Sequence, residues 1–427
     1  MVQYEERGKS SEPSSEDAFY NNFYSEHFNT LRKMGLWSYR GKSKTKKRLY
    51  MAYSCGSVAY CCMGFLLATT NLYLLRRNLA EISFNLSTNV LTGAMLIKNF
   101  CMIYHCREIE KLRRDLFDDE CRQTDSEEIE IRKRYKFTFL AIKHLMQCVS
   151  YTIFPIWLTL SLSSLIWEPR EMPFSLWIPF NIERNFNFFV IFVIHALIGT
   201  YVTVQAVNME LGMFALFIQT VTQYRMLVYQ VVKIKKYYLH PVTESGKINC
   251  NRVMVENQVK FLLKNYVRRH LVLKRYVRQL ELVFNKPMLS QLLFAVVLMV
   301  MNGVFIILAH TSLTVKVYYQ AAYAMIITVD VFIICTVVTH LFEQKQKIFD
   351  AICDLPWYEM DRDIQKQLMI IMIGLQQKEA LTAWKIFKID LTTFTTVKWQ
   401  LIKASLAVMR AVASWLTLFL QVMKLDA

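Results

Sequence analysis

The chain has 427 residues, 54% of them hydrophobic, and a formal net charge of +17. A mean hydropathy of +0.22, with apolar runs too long for core helices, excludes a soluble globular domain. The positive charge raises nucleic acid as a partner, but its distribution along the chain fits membrane topology instead.

Residues 1–48 are polar. They open on a Ser- and Glu-rich stretch. An aromatic patch follows (Phe19, Tyr20, Phe23, Tyr24, Phe28), suited to the membrane interface. The segment closes on a basic cluster at 42–48. This start has no short charged stub followed by an apolar core, so no cleavable leader is expected and the first span serves as the targeting signal. That span covers about 49–75 and carries no charge. The second, about 79–104, contains Glu81, Asn85, Thr88, Asn89 and Lys98. Such a helix should face protein or a cavity, because these groups are costly in hydrocarbon. The glycosylation sequon at Asn85 falls inside it and is discounted.

A charged, helix-prone loop (105–136) leads to a third span at about 137–167, with Pro155 as a kink. A Pro- and Trp-rich loop follows. The fourth span starts near Phe186, is expected to be interrupted by the polar run 205–210, and continues as an amphipathic helix to Tyr229. Residues 254–284 are amphipathic and basic on one face, and the fifth span follows at about 288–313. The sixth, about 319–341, holds Asp330 near its middle. Residues 342–391 read as helix-forming, but the apolar run 368–375 is too short to span. The seventh span is the C-terminal stretch, about 399–423.

The fold class is therefore an all-α membrane protein with seven transmembrane helices. Of the 51 Lys and Arg residues, 41 fall in the N-terminal segment and the three long loops, six on the other side and four within spans. The N-terminus is expected inside and the C-terminus outside. None of the ten cysteines falls in an expected outer loop, so no external disulfide framework is expected. No nucleotide-binding Gly-rich loop, metal cluster or nucleophile–base set is readable, so neither an enzyme nor a cofactor is expected. In the last span Ala411, Ser414, Leu418, Gln421 and Val422 share one helical face. That face fits either a packing stripe or a pore lining with one polar position.

Three stretches resemble the insect odorant receptors. They are the outer loop Met172-Pro173-Phe174 with Trp177 and Pro179, the helix 268–284 (RRHLVLKRYVRQLELVF), and the segment 357–394. Within the last, Lys378 follows Gln376-Gln377 where the family usually has Pro, and Trp384 stands where Gly is common. About ten residues more than usual separate Phe394 from the final helix.

The resemblance implies a subunit of a tetrameric, ligand-gated, non-selective cation channel whose central pore is lined by the last helix. It implies an odorant-tuned chain assembling with the shared co-receptor as a heterotetramer in the plasma membrane of sensory neuron dendrites, surrounded by membrane lipid. The co-receptor's long insertion between spans 4 and 5 is missing here. The organisation would be a cytoplasmic segment (1–48), a ligand-binding bundle of six spans (49–341), cytoplasmic anchor helices (342–398), and the pore helix with its tail (399–427). Matching the last helix puts Leu418 and Val422 at the hydrophobic gate and Gln421 at the polar pore position.

The family's odorant pocket lies in the outer halves of helices 2, 3, 4 and 6. The ligand candidates there are Phe84, Thr88, Tyr151, Pro155, Thr159, Phe189, Phe192, His195, Ala196, Tyr319, Tyr323 and Ile326. Roughly a third of them are expected to touch a small volatile ligand, because pockets use few residues. Asp330 is expected to pair with Arg410 or Lys403, coupling helix 6 to helix 7, or else to be solvated in a vestibule. Two other classes fit the topology. A gustatory receptor for tastants would end its last helix in Gln-Phe, not Gln421-Val422, and a secondary transporter would show symmetric halves.

Overall fold

The computed structural model describes residues 26–39, 41, 43–75, 79–115, 125–163, 172, 174, 176–178, 184–239, 252–308, 315–376, 382–383, 387–388 and 395. Helix α1 covers 26–33. It is followed by α2 (Lys44–Leu74), α3 (Leu79–Tyr104), α4 (Cys106–Asp115), α5 (Ser126–Ser163), α6 (Asn185–Leu239), α7 (Arg252–Leu308), α8 (Val315–Cys353) and α9 (Arg362–Gln376). Six of these helices are long and apolar enough to cross a membrane: α2, α3, α5, α6, α7 and α8. The last span lies outside the described residues, and with it Lys403, Arg410, Leu418, Gln421 and Val422.

The helices form a bundle with two unlike ends. At one end connections of four and six residues join α2 to α3 and α7 to α8, and a longer loop joins α5 to α6. At the other, α6, α7 and α8 run on far beyond membrane thickness. The 55 residues of α6 correspond to about 80 Å of helix, more than twice a hydrocarbon core. Most residues of α6 from Gln205 to Val231 are buried, on all its faces. A helix apolar all round must be surrounded by protein. Here α5, α7 and α8 surround it. The core at this end includes Phe217 and Phe284, whose ring centroids are 5.8 Å apart. Tyr266, Leu273 and Leu280 of α7 and Ile348 and Ile352 of α8 also belong to it, and α9 closes it with Ile364 and Leu368.

Several boundaries differ from the sequence reading. Helix α6 is not interrupted at 205–210, because its polar side chains find partners sideways and leave the backbone ladder intact. The amide of Gln205 donates to Asn99, Lys98 donates to Glu210, and Asn208 Oδ1 accepts from His27 at 3.1 Å. The amphipathic segment and the fifth span are one helix, α7, continuous through Pro287. Ser290 Oγ donates to the Pro287 carbonyl at 2.7 Å. Helix α5 begins eleven residues before the expected start, where Arg134 bonds Glu130 at 2.5 Å one turn apart. Past α9, within the stretch read as helix-forming, Thr382–Ala383 pairs antiparallel with Phe387–Lys388.

The N-terminal segment folds back onto the bundle. Phe28, Leu31, Leu36 and Trp37 are buried, with Phe28 and Trp37 rings 4.8 Å apart. The turn after α1 needs Gly35, whose φ is +79°. Tyr50 of α2 donates to the carbonyls of Arg32 and Trp37, and Ser57 to that of Met34. Phe28 packs on Gly212 of α6, where a Cβ would meet its ring at 3.0 Å.

Candidate ligand-binding cavity

Two adjoining cavities, of about 190 and about 170 Å³, run through the middle of the bundle. Leu91, Met95, Ser150, Ala206, Val207 and Ile326 belong to the walls of both. The upper cavity, toward the short-loop end, is bounded by α2, α3, α5, α6 and α8. Its roof includes Phe174 and Leu176 of the loop before α6, which is tied to α2 where Trp177 N donates to the Leu67 carbonyl at 3.2 Å. Phe154 and Phe174 close over Gly199. A Cβ there would meet Phe154 and Phe174 ring atoms at 2.6 Å, so only glycine admits both rings.

The lower cavity ends on a polar floor. Lys98 of α3, Glu210 of α6, Gln291 of α7 and Asp330 of α8 all line it. Lys98 Nζ donates to Glu210 Oε1, and these side chains are only 12% and 9% exposed. Gln291 Nε2 donates to Asp330 Oδ2. Among the described residues no hydrogen bond reaches Glu210 Oε2, Asp330 Oδ1 or Gln291 Oε1. Asn99, Gln205 and Cys61 form an adjacent network. Gln205 donates to Asn99, and Cys61 lies 3.8 Å from the Gln205 amide oxygen. Asp330 is 15 residues into α8, roughly 22 Å along its axis.

Helix α1 also holds a buried histidine against α6. His27 Nδ1 bonds Asn208 Oδ1 at 3.1 Å, which makes Nδ1 the protonated nitrogen because the amide oxygen accepts. Burial holds the His27 pKa below its usual 6.5, the Asn208 bond opposing the shift. Among the described residues no group of three His, Cys, Asp or Glu side chains could hold a metal ion. The arrangement is that of a mostly apolar, noncovalent binding cavity with one polar end.

The profile of the 7tm odorant receptor family matches residues 78–399, three quarters of the chain. The chain belongs to the 7tm odorant receptor family. Solved structures agree in fold. The insect olfactory receptor OR5 from Machilis hrabei in complex with eugenol superimposes with a TM-score of 0.77 and 16% identity, covering 92% of this chain and 99% of that one. A second structure of the same receptor gives 0.72 and 14%, covering 91% and 99%. Comparison with curated proteins finds no match. The protein is thus an odorant receptor, a multi-pass membrane receptor of olfaction rather than an enzyme.

Of the receptor's sequence-derived ligand candidates, Thr88 and Ile326 line the upper cavity. His195 is buried, with its ring 6.2 Å from that of Phe174, one turn above Gly199. Phe192 is buried and stacked on Phe188 at 6.3 Å, further up the same face of α6. Ala196 is half-buried beside them. Phe84 is buried against Phe305 of α7, at 5.5 Å. Tyr151, Pro155, Thr159 and Phe189 are exposed on the outside of the chain. The backbones of Tyr319 and Tyr323 lie in α8, and their side chains lie outside the described residues. Asp330 has Gln291 as its bonded neighbour, and its expected partner Arg410 lies outside the described residues.

Phe154, Gly199, Lys98, Glu210 and Gln291 were not among the candidates. On α5 the cavity takes Ser150, Ile153 and Phe154, about 150° around the helix from the Tyr151–Pro155–Thr159 stripe. The signal for the floor was present in the sequence. Lys98 and Glu210 are opposite charges in apolar segments, and such charges need partners.

Proposed function

We propose that the chain is the odorant-tuned subunit of a ligand-gated, non-selective cation channel, and that the upper cavity is its odorant site. The observation carrying this reading is the mostly apolar cavity under Phe154, Phe174 and Gly199, reached by Thr88 and Ile326, in a member of the odorant receptor family. The related OR5 is known in complex with eugenol, a small aromatic molecule, and a cavity of this size and lining suits a ligand of that kind.

In this reading the chain spans the plasma membrane of sensory neurons with its N-terminus inside, an orientation the placement of Lys and Arg supports. It assembles with a co-receptor into a heterotetramer around a pore lined by its last helix. Leu418 and Val422 form a gate that closes by dewetting, and Gln421 meets the cations.

Whole-cell current is the test, with the chain expressed alone and with the co-receptor, against a panel of volatile compounds. Odorant-evoked cation current that needs both chains supports the reading. Surface-expressed protein without any evoked current contradicts it.

A further inference from the structure

Resting on that reading, we propose that the lower cavity gives this receptor a selectivity for protonated primary amines, with the ammonium group on the floor formed by Glu210, Gln291 and Asp330. The argument starts from charge. Lys98, Glu210 and Asp330 line one cavity, which sets one lysine against two carboxyl groups. The lysine is committed to Glu210 Oε1. Among the described residues no second cation lines the floor, so an ionised Asp330 needs a counterion from elsewhere.

The hydrogen-bond inventory points the same way. Glu210 and Gln291 are more than nine-tenths buried, and each has an oxygen without a partner among the described residues. Asp330 Oδ1 is the third such oxygen. Three acceptors thus stand on one wall, while the one nearby amide donor is spent on Asp330 Oδ2. A primary ammonium carries three N–H donors and one positive charge, so it matches both deficits. An alcohol supplies one donor and no charge. A carboxylate or aldehyde adds acceptors where acceptors are already in excess. Beside the floor the wall is apolar, with Met95, Phe294, Leu298 and Ile326, which suits the hydrocarbon body of such a ligand.

The experiment compares 2-phenylethylamine with 2-phenylethanol, which differ little in shape, on the full chain with its co-receptor in lipid nanodiscs at pH 7.4. Binding is read by thermal stabilisation over a concentration series. The expected result is at least tenfold tighter binding of the amine, falling below about threefold in Asp330→Asn with alcohol binding retained, since tenfold corresponds to about 1.4 kcal/mol. Equal affinity of the wild-type protein for both compounds overturns the proposal without needing any variant to fold. Equal affinity in the wild type, with an amine preference gained in Arg410→Gln, assigns the counter-charge to Arg410 and also overturns the proposal. Stabilisation by sodium chloride that the amine does not add to assigns the floor to an inorganic cation, and this too overturns the proposal. A receptor that binds or responds to neutral volatiles without any amine preference keeps the odorant-channel reading and loses only this inference.

Discussion

Gly199 lies so close to Phe174 that a Cβ on the glycine would stand 2.6 Å from two atoms of the ring. Phe154 comes equally near from α5. The roof of the cavity is therefore set by the missing side chain of one residue of α6. Gly199→Ala would push two aromatic rings apart or down into the cavity. Such overpacking costs about 1–3 kcal/mol, which is roughly five- to 150-fold in ligand sensitivity. Dose–response curves for an active odorant should shift right by that amount. Gly56→Ala, where a Cβ meets nothing within 4 Å, should leave the curve in place.

The docking of α1 should be sensitive to acid. His27 is held neutral by burial, with its folded pKa below the usual 6.5. Its contribution to stability is therefore complete above the unfolded value. It is lost as pH falls below 6.5, because the unfolded state then takes up the proton first. Purified receptor should unfold at lower temperature at pH 5.5 than at pH 7.5. His27→Gln, which keeps a donor for Asn208 but does not titrate, should narrow that difference.

A buried ion pair ties three helices together beyond the membrane. Arg269 of α7 bonds Glu128 of α5 at 2.9 Å, and their side chains are 6% and 1% exposed. Gln230 of α6 donates to the same Glu128 oxygen at 3.0 Å. Removing one partner leaves a buried charge, so Arg269→Met should destabilise by about 3–5 kcal/mol. The loss is readable as reduced surface expression and a lower unfolding temperature. Adding Glu128→Gln should recover part of it, because the stranded carboxylate is then gone.

The proposed gate makes a prediction that the cavity does not. Leu418→Ala should raise current in the absence of ligand, since a shorter side chain wets the constriction. Gln421→Ala should leave resting current low and change the relative permeability of small cations. Reversal potentials in sodium, potassium and calcium solutions read this directly.

Membrane class, the spans α2, α3 and α5 to α8, and the family were legible in the sequence because apolar length and charge asymmetry are properties of single segments. Helix continuity was less legible. Polar groups such as Gln205 and Glu210 look like an interruption until Asn99 and Lys98 are seen to satisfy them from α3. Pro287 looks like a boundary, yet α7 passes through it. Facing was the hardest feature to read. Tyr151 and Phe154 are three residues apart, yet Tyr151 is exposed while Phe154 reaches the cavity. The rotation of α5 is fixed by contacts with α6 and α8, which no local pattern encodes.

The measurement closest to the central claim is a paired recording from cells expressing the co-receptor with either the wild-type chain or Ile326→Trp. Ile326 belongs to the walls of both cavities, so a tryptophan there fills the space a ligand would take. The account predicts odorant-evoked, cation-selective current from the wild type and its loss in the variant at equal surface expression. Equal currents from both would contradict the assignment of the cavity as the odorant site.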